Sequence, residues 1–277
     1  MQFVTAISGS APLILDSPHS GTNYPADFQF SCDFETLRRA EDTHIERLYA
    51  FASELGAEWI EAHFPRSYLD VNRDVTELDL TLLDGKWPGP VADGPKVRLG
   101  KGLIWRMTDD GIPIYSRRLT VEEVSGRIER CWEPYHAAVA LAVYRAKARH
   151  GYCIHINCHS MPSVAGDYAT DFPGVKHPDF VVGNRDHTTS SRALAEMVCD
   201  HLTDAGYEVA LNHPYKGVEL VRRYGMPAED QHSLQLEVNR KLYMNEETLQ
   251  VHDGFSELQR QLRRLMGRLV ETDPRRL

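Results

Sequence analysis

Cysteine is scarce in this chain: five in 277 residues, at Cys32, Cys131, Cys153, Cys158 and Cys199, with no CxxC pair among them. An odd number at scattered positions argues against a disulfide framework and for reduced thiols, with Cys153 and Cys158 serving as small buried residues. No apolar run approaches the about 18 residues that a membrane span needs. The opening "MQFVTAISGSAPLILD" lacks a basic leader followed by an apolar stretch and a small-residue cleavage site. Together these features predict a cytoplasmic protein with no membrane partner. Dense Lys/Arg blocks are also missing. The net charge is −9, and "RRYG" is too short a basic cluster to suggest nucleic acid. The common catalytic signatures HExxH, GxSxG, the P-loop and GxGxxG do not occur.

Apolar residues are plentiful. They make up 42% of the chain, enough for a sizeable core in one large α/β domain or two small ones. No internal repeat or low-complexity linker divides it. The least regular part is residues 75–117, where "GKWPGPVADGP" has glycine and proline at loop density, and it reads as an insertion near a site. Elsewhere strands and helices alternate. Strands are predicted at 12–16, "AEWIEA", "YCIHINC", "DFVVGN", "YEVALN" and "SLQLEVN". A helix is predicted over 33–55, with Leu37, Ile45, Leu48, Ala52 and Leu55 on one side and Gly56 as its stop. Thr120 and Glu123 form a plausible capping box for a long helix that Pro134 should kink or split. Residues 188–205 and 246–271 read as further helices, the second capped by Asn245. This alternation predicts an α/β fold with a mixed, mostly parallel central sheet flanked by helices on both faces. Ligands then gather at the carboxyl ends of the strands.

Two histidines sit at such places. "LILDSPHSGTNYP" carries a strand into a loop that holds His19, and "YCIHINC" leads into His159. A lone strand-end histidine is best read as a turn-stabilising hydrogen-bonding group. Two in matching positions, each followed by serine, point to a metal, because neutral imidazole suits Zn2+. A third ligand is needed, and "RAEDTHIERLY" offers Glu41, Asp42, His44 and Glu46. If the helix runs through, Asp42 lies on its buried face, where a carboxylate requires a cation or several donors; an N-cap role for Asp42 is an equal alternative. In "SLQLEVNR", alternation of Leu234, Leu236 and Val238 places Gln235 and Glu237 on the opposite face. Glu237 is thus a candidate general base, or else a structural partner of Arg240. In "FPRSYLDVNRD", Arg66 and Arg73 could clamp a carboxylate or steady an oxyanion, or they could simply pair with Asp70 and Asp74. His150, His155, His177, His201 and His252 are most simply surface or packing histidines.

Taken in order, the segments "SPHSGTNYP", "EDTHIERLY", "PRSYLDVNRD", "IYSRRLTVEEVSGRIERCWEPYHAAV", "INCHSMPS", "DFVVGNRD", "NHPYKGVELVRRYG" and "LQLEVNRKLYM" resemble the N-formylglutamate amidohydrolase family over nearly the whole chain. That family is similar in turn to zinc carboxypeptidases and to the aspartoacylase and succinylglutamate desuccinylase group. The resemblance implies a single catalytic domain over 1–277, a phosphorylase/hydrolase-like fold with an eight-stranded type of sheet, and one Zn2+. It implies His19, Asp42 and His159 as metal ligands, Glu237 as general base and Arg66 beside the oxyanion. It further implies Asn72 and Arg73, with Ser20 and Arg222, as contacts to a small anionic N-acyl amino acid. Carboxypeptidases carry their acidic ligand three residues after the first histidine. Here that position is Thr22, so the acid must come from elsewhere. The family also tends to have two glycines after "PYK", whereas this chain has Gly217 then Val218, which bears on the acyl group accepted. The implied reaction is hydrolysis of N-formyl-L-glutamate to formate and glutamate in histidine degradation. A zinc deacylase or peptidase of other substrates is the first alternative, and a non-catalytic scaffold the second.

Overall fold

The computed structural model describes residues 2–166 and 173–277. Among the described residues nine strands run β1 Val4–Ile7, β2 Leu13–Ser17, β3 Glu58–Ala62, β4 Leu83–Asp84, β5 Leu119–Thr120, β6 Cys153–Met161, β7 Phe180–Gly183, β8 Val209–Leu211 and β9 Gln231–Asn239. Seven of them form one sheet in the order β1-β3-β2-β6-β9-β7-β8; β4 and β5 pair separately. β3, β2, β6 and β9 are mutually parallel, as are β7 and β8, while β1 and β7 join antiparallel. The sheet is therefore mixed and mostly parallel, as predicted, with seven strands among the described residues where the family resemblance implied eight. The antiparallel edge strand β1 has no counterpart among the predicted strands.

Alternation along the strands decides what covers each face. One set of side chains is apolar throughout: Leu13 and Leu15, Ile154, Ile156 and Cys158, Leu234, Leu236 and Val238. They pack against α2 (Ile45–Leu48), α6 (Arg192–Asp204) and α8 (Gly254–Glu271). In α8, Leu258, Leu262, Leu265 and Leu269 recur at helical spacing and are all buried. The opposite set is mixed. Ile14, Ile60 and Cys153 join a second core with α5 (Glu133–His150) and α7 (Glu219–Tyr224). Between them Asp16, His155, Asn157, His159, Ser233, Gln235 and Glu237 form a buried polar seam on that same face.

Three predicted helices differ from what is found. Instead of one helix over 33–55 there are α1 (Phe34–Arg38), α2 and a 3-10 turn at Ala52–Leu55. The break falls at Glu41–His44, because its backbone bonds outside the segment. The Asp42 amide donates to the His19 carbonyl (3.0 Å), the Arg240 guanidinium takes the carbonyls of Arg39 (3.0 Å) and Glu41 (2.7 Å), and His44 is left-handed with φ 70°. The last helix starts at Gly254; Asn245 caps only a turn, accepting from the amides of Glu247 and Thr248. The helix predicted from 188 starts at Arg192 with Ser191 as its cap, since the Thr189 hydroxyl donates to the Ser233 carbonyl (2.8 Å) and the Ser191 amide to Nδ1 of His232 (3.0 Å), which holds this stretch against β9.

The Thr120–Glu123 capping box is present and opens α4 (Val121–Arg127). The α-helix is interrupted just ahead of Pro134 by a π-turn at Ile128–Trp132, and α5 resumes with Pro134 as its second residue, where a missing N–H is tolerated. The irregular 75–117 stretch holds a 3-10 turn at Leu80–Leu82, β4 and one turn of α-helix, α3 (Pro95–Arg98), and its Leu78, Leu82, Leu103, Ile104 and Ile114 are buried in the second core.

Candidate metal centre and its surroundings

β2 ends at Ser17, and Pro18 turns the chain so that His19 lies over the carboxyl edge of the sheet. Gly21 anchors this turn against another backbone, since a Cβ there would stand 2.3 Å from the carbonyl carbon of His63. His159 arrives from β6, which runs three residues past its predicted end; His159 is therefore within the strand and pairs in register with Glu237 of β9. Asp42 comes from the break between α1 and α2, tethered to the His19 carbonyl. Those three residues, all buried, bring ligand atoms within 4.8 Å of one another, and among the described residues no other such group is found.

The direction of each hydrogen bond tells how the cluster is poised. Nε2 of His19 faces Oδ1 of Asp70 at 2.7 Å, and Nε2 of His159 faces Oδ1 of Asn157 at 2.7 Å. Both outer partners accept, so both rings donate outward and turn Nδ1 lone pairs inward. The two Nδ1 atoms lie 3.1 Å apart, and Oδ2 of Asp42 is 2.9 Å from that of His159 and 3.5 Å from that of His19. Three converging electron-pair donors, sealed from water, call for protons or a metal cation held between them. Two imidazole nitrogens and one carboxylate oxygen form a donor set that fits zinc. Burial pushes the Asp42 carboxyl up, but hydrogen bonds and charge from His159 and His19 prevail and hold it well below the usual range. Burial pushes His159 down, with Asp42 opposing.

Of the other ligand candidates, Glu41 accepts from the Tyr24 hydroxyl (2.6 Å) and from Arg38, and His44 bonds to the Leu249 carbonyl. Glu46 lies apart, its carboxyl pushed up to about 7 by burial. Only Asp42 joins the histidines.

Glu237 is buried beside them, with Oε1 accepting from Nε2 of Gln235 at 2.8 Å. Burial first, then the charge of Asp42, push its carboxyl well above the usual range, against the pull of Arg66 and Arg240. Arg66 gives Nη2 (2.9 Å) and Nε (3.3 Å) to Asp70, stacks on Trp105 at 4.9 Å and projects its charge on Asp42 and Glu237. Arg240 bonds to Ser160 (3.1 Å) and reaches Asp42 (3.4 Å), so it locks the Asp42 segment to the strand ends rather than pairing with Glu237.

The remaining expected contacts are differently employed. Asn72 stands behind His159, its Nδ2 3.2 Å from Nε2, while its Oδ1 accepts the Leu220 amide. Arg73 is buried, bonding to the carbonyls of Lys101 (3.0 Å) and Asn72 (2.9 Å). The Ser20 hydroxyl pairs with that of Ser17 at 2.7 Å. Arg222 is half exposed and bound to Glu219 and Asp74.

Asp70 is the residue whose part the sequence did not reveal. Fully buried, it accepts from His19, the Asn72 amide (2.9 Å), Arg66 and Nε1 of Trp105 (3.2 Å). Burial alone pushes its carboxyl up, yet His19, Arg66 and Arg73 hold it well below the usual range. Asp16 and Asn157 also went unassigned, although a carboxylate within "LILDS" and an amide within "CIHINC" are the kind of polar interruption that calls for partners.

Fold and cluster define a class: mixed α/β proteins carrying a His-Asp-His candidate metal centre at the carboxyl ends of parallel strands. The sequence model of the N-formylglutamate amidohydrolase family matches residues 11–244. An N-formylglutamate deformylase of Pseudomonas aeruginosa is 33% identical over 248 residues, covering 86% of this chain and 84% of that one. Another, of Pseudomonas putida, is 31% identical over 247 residues with the same coverage. The crystal structure of an N-formylglutamate amidohydrolase from Ralstonia eutropha JMP134 superposes with a TM-score of 0.94 at 44% identity, over 100% of both chains. The chain belongs to the N-formylglutamate amidohydrolase family.

Proposed function

We propose that this protein is a zinc-dependent amide hydrolase that cleaves N-formyl-L-glutamate to formate and L-glutamate, as in histidine degradation. The observation that carries the reading is the convergence of His19, Asp42 and His159 beside a buried Glu237 whose carboxyl is pushed well up, in a chain of this family. Zinc held by those three residues would supply Lewis acidity, acidifying water and polarising a carbonyl. Glu237 has the basicity to take the proton from the attacking water and the position to return it to the leaving amine nitrogen. The Arg66 guanidinium, oriented by Asp70 and Trp105, offers positive charge to the developing oxyanion. Asn72, Arg73, Ser20 and Arg222 are the proposed contacts to the substrate carboxylate, and binding it would mean exchanging some of the internal bonds they make here.

One catalytic unit over the whole chain, with 75–117 as an insertion, is supported by the apolar residues of that stretch packing into the second core. Free cysteines throughout support a reducing, cytoplasmic compartment, and the net charge of −9 speaks against a nucleic-acid partner. No helix of the described residues is long and apolar enough to cross a membrane.

Val218 favours a second reading, a deacylase of another N-acyl amino acid, because it stands directly before α7, whose Leu220 amide bonds to Asn72. A panel of N-formyl, N-acetyl and N-succinyl glutamate and of N-formyl amino acids separates the two. Formate release from N-formyl-L-glutamate should exceed all others in kcat/KM. Faster turnover of an acetyl or succinyl substrate would establish the alternative.

A further inference from the structure

The polar seam beneath the metal centre raises a question that the reaction itself does not answer: why it is polar at all. His159 lacks the carboxylate that backs His19. Its Nε2 meets the carboxamide oxygen of Asn157 instead, at 2.7 Å. An amide can face a ring nitrogen with either end, and the two ends have opposite effects. Oδ1 requires an N–H at Nε2 and leaves a lone pair at Nδ1, whereas Nδ2 would favour a lone pair at Nε2 and a proton at Nδ1, the atom turned towards Asp42 and His19.

What decides the orientation lies one layer deeper. Nδ2 of Asn157 donates to Oδ1 of Asp16 at 2.9 Å. Asp16 is completely buried and fully engaged: its Oδ1 also accepts Nε2 of His155 (2.9 Å), and its Oδ2 accepts the Tyr135 hydroxyl (2.7 Å). His155 is in turn fixed by the Ser233 hydroxyl at 2.7 Å. An ionised carboxylate only accepts, so the amide must offer Asp16 its NH2 and His159 its oxygen. Burial pushes Asp16 up, but the charge of His155 and the three hydrogen bonds keep it below its ordinary value and therefore ionised. Asn72 is turned by the same logic: its Oδ1 is taken by the Leu220 amide, so its Nδ2 is the end that lies 3.2 Å from Nε2 of His159 and 3.4 Å from Oδ1 of Asn157. With an N–H on Nε2, that NH2 donates only to the Asn157 oxygen, which it then shares with His159.

We infer that Asn157 and Asp16 are positioning residues: Asp16 fixes the polarity of the Asn157 amide, and that amide holds His159 in the tautomer that presents Nδ1 to the metal. The inference rests on the zinc reading given above. Its geometric basis is a continuous chain of obligate donors and acceptors from Ser233 through His155, Asp16 and Asn157 to His159, spread over β9, β6 and β2. Such outer partners typically tune metal affinity by about 10–100-fold.

The test measures zinc affinity by competition with a chromophoric chelator, with folding checked by circular dichroism. Asn157→Leu, near-isosteric and without an acceptor, should bind zinc about 10–100-fold more weakly than the unaltered protein. Asp16→Asn still offers Oδ1 to the Asn157 amide and should lose less. Unaltered affinity in a folded Asn157→Leu protein overturns the inference while leaving zinc catalysis standing. A second measurement holds even if that variant does not fold: 15N-histidine NMR of the zinc-loaded unaltered protein. It should show a slowly exchanging proton on Nε2 of His159 and a metal-shifted Nδ1. A protonated Nδ1 with zinc on Nε2 overturns the inference. If the unaltered protein binds no zinc, the functional reading and this inference fall together.

Discussion

Glu237 owes its raised proton affinity to burial more than to any single neighbour. A carboxyl removed from water and set near the charge of Asp42 holds its proton well above the usual range, which suits a group that must accept a proton and pass it on. Glu237→Gln keeps the size and the Gln235 contact but removes the basicity. Turnover should fall by about 10²–10⁴-fold while zinc stoichiometry, read by elemental analysis, stays unchanged. Turnover near the unaltered rate would remove Glu237 from its part. At this scale much was legible in the sequence. His19 follows the end of β2, and His159 and Glu237 lie close to the ends of β6 and β9, near enough to the carboxyl edge that chain position already hints at chemistry. Asp42 was one of four candidates, because nothing in "RAEDTHIERLY" shows that the Asp42 amide would leave a helix to bond to His19. Asp70 was invisible as a hub, since two of its four partners, His19 and Trp105, come from distant parts of the chain.

Among the elements, the run α4–π-turn–α5 does most to hold the site's back wall. Trp132, the last residue of the π-turn, donates Nε1 to the Arg73 carbonyl (3.0 Å), and His136, one turn on, reaches the Val71 carbonyl with Nε2 (2.9 Å). The segment holding Asp70 and Asn72 is thereby pinned from the helix. Burial pushes His136 down to about 4 from 6.5, so it is neutral in the folded chain near pH 7. The unfolded chain takes up this proton from about pH 6.5, and the folded one only near 4. This contribution to stability is complete above 6.5 and is lost as the pH falls through that window, by about 3 kcal/mol at most. Urea unfolding of the metal-free protein between pH 7 and pH 4 should show a shallower decline for His136→Phe than for the unaltered chain. Equal slopes would place the acid sensitivity elsewhere. The capping box was readable because its two partners are three residues apart in the chain. The π-turn was not, nor was the division of 33–55, which reflects tertiary bonds to Arg240 and His19 that compete with helical ones.

In the whole molecule, the two faces of one sheet do different work. The apolar face, under α2, α6 and α8, supplies hydrophobic stabilisation. The other trades part of that gain for a polar seam that carries the candidate ligands, their outer partners and the proposed general base. The fold class was plain in the alternation of strands and helices, and so was the position of the site at the carboxyl edge. Which acid would close the metal centre depends on chain geometry at distances of more than a hundred residues. One measurement tests the central claim most directly: zinc titration of chelator-treated protein, followed by formate release from N-formyl-L-glutamate. Activity should be absent without metal and rise linearly to a plateau at one equivalent. Full turnover by the metal-free protein would contradict the account.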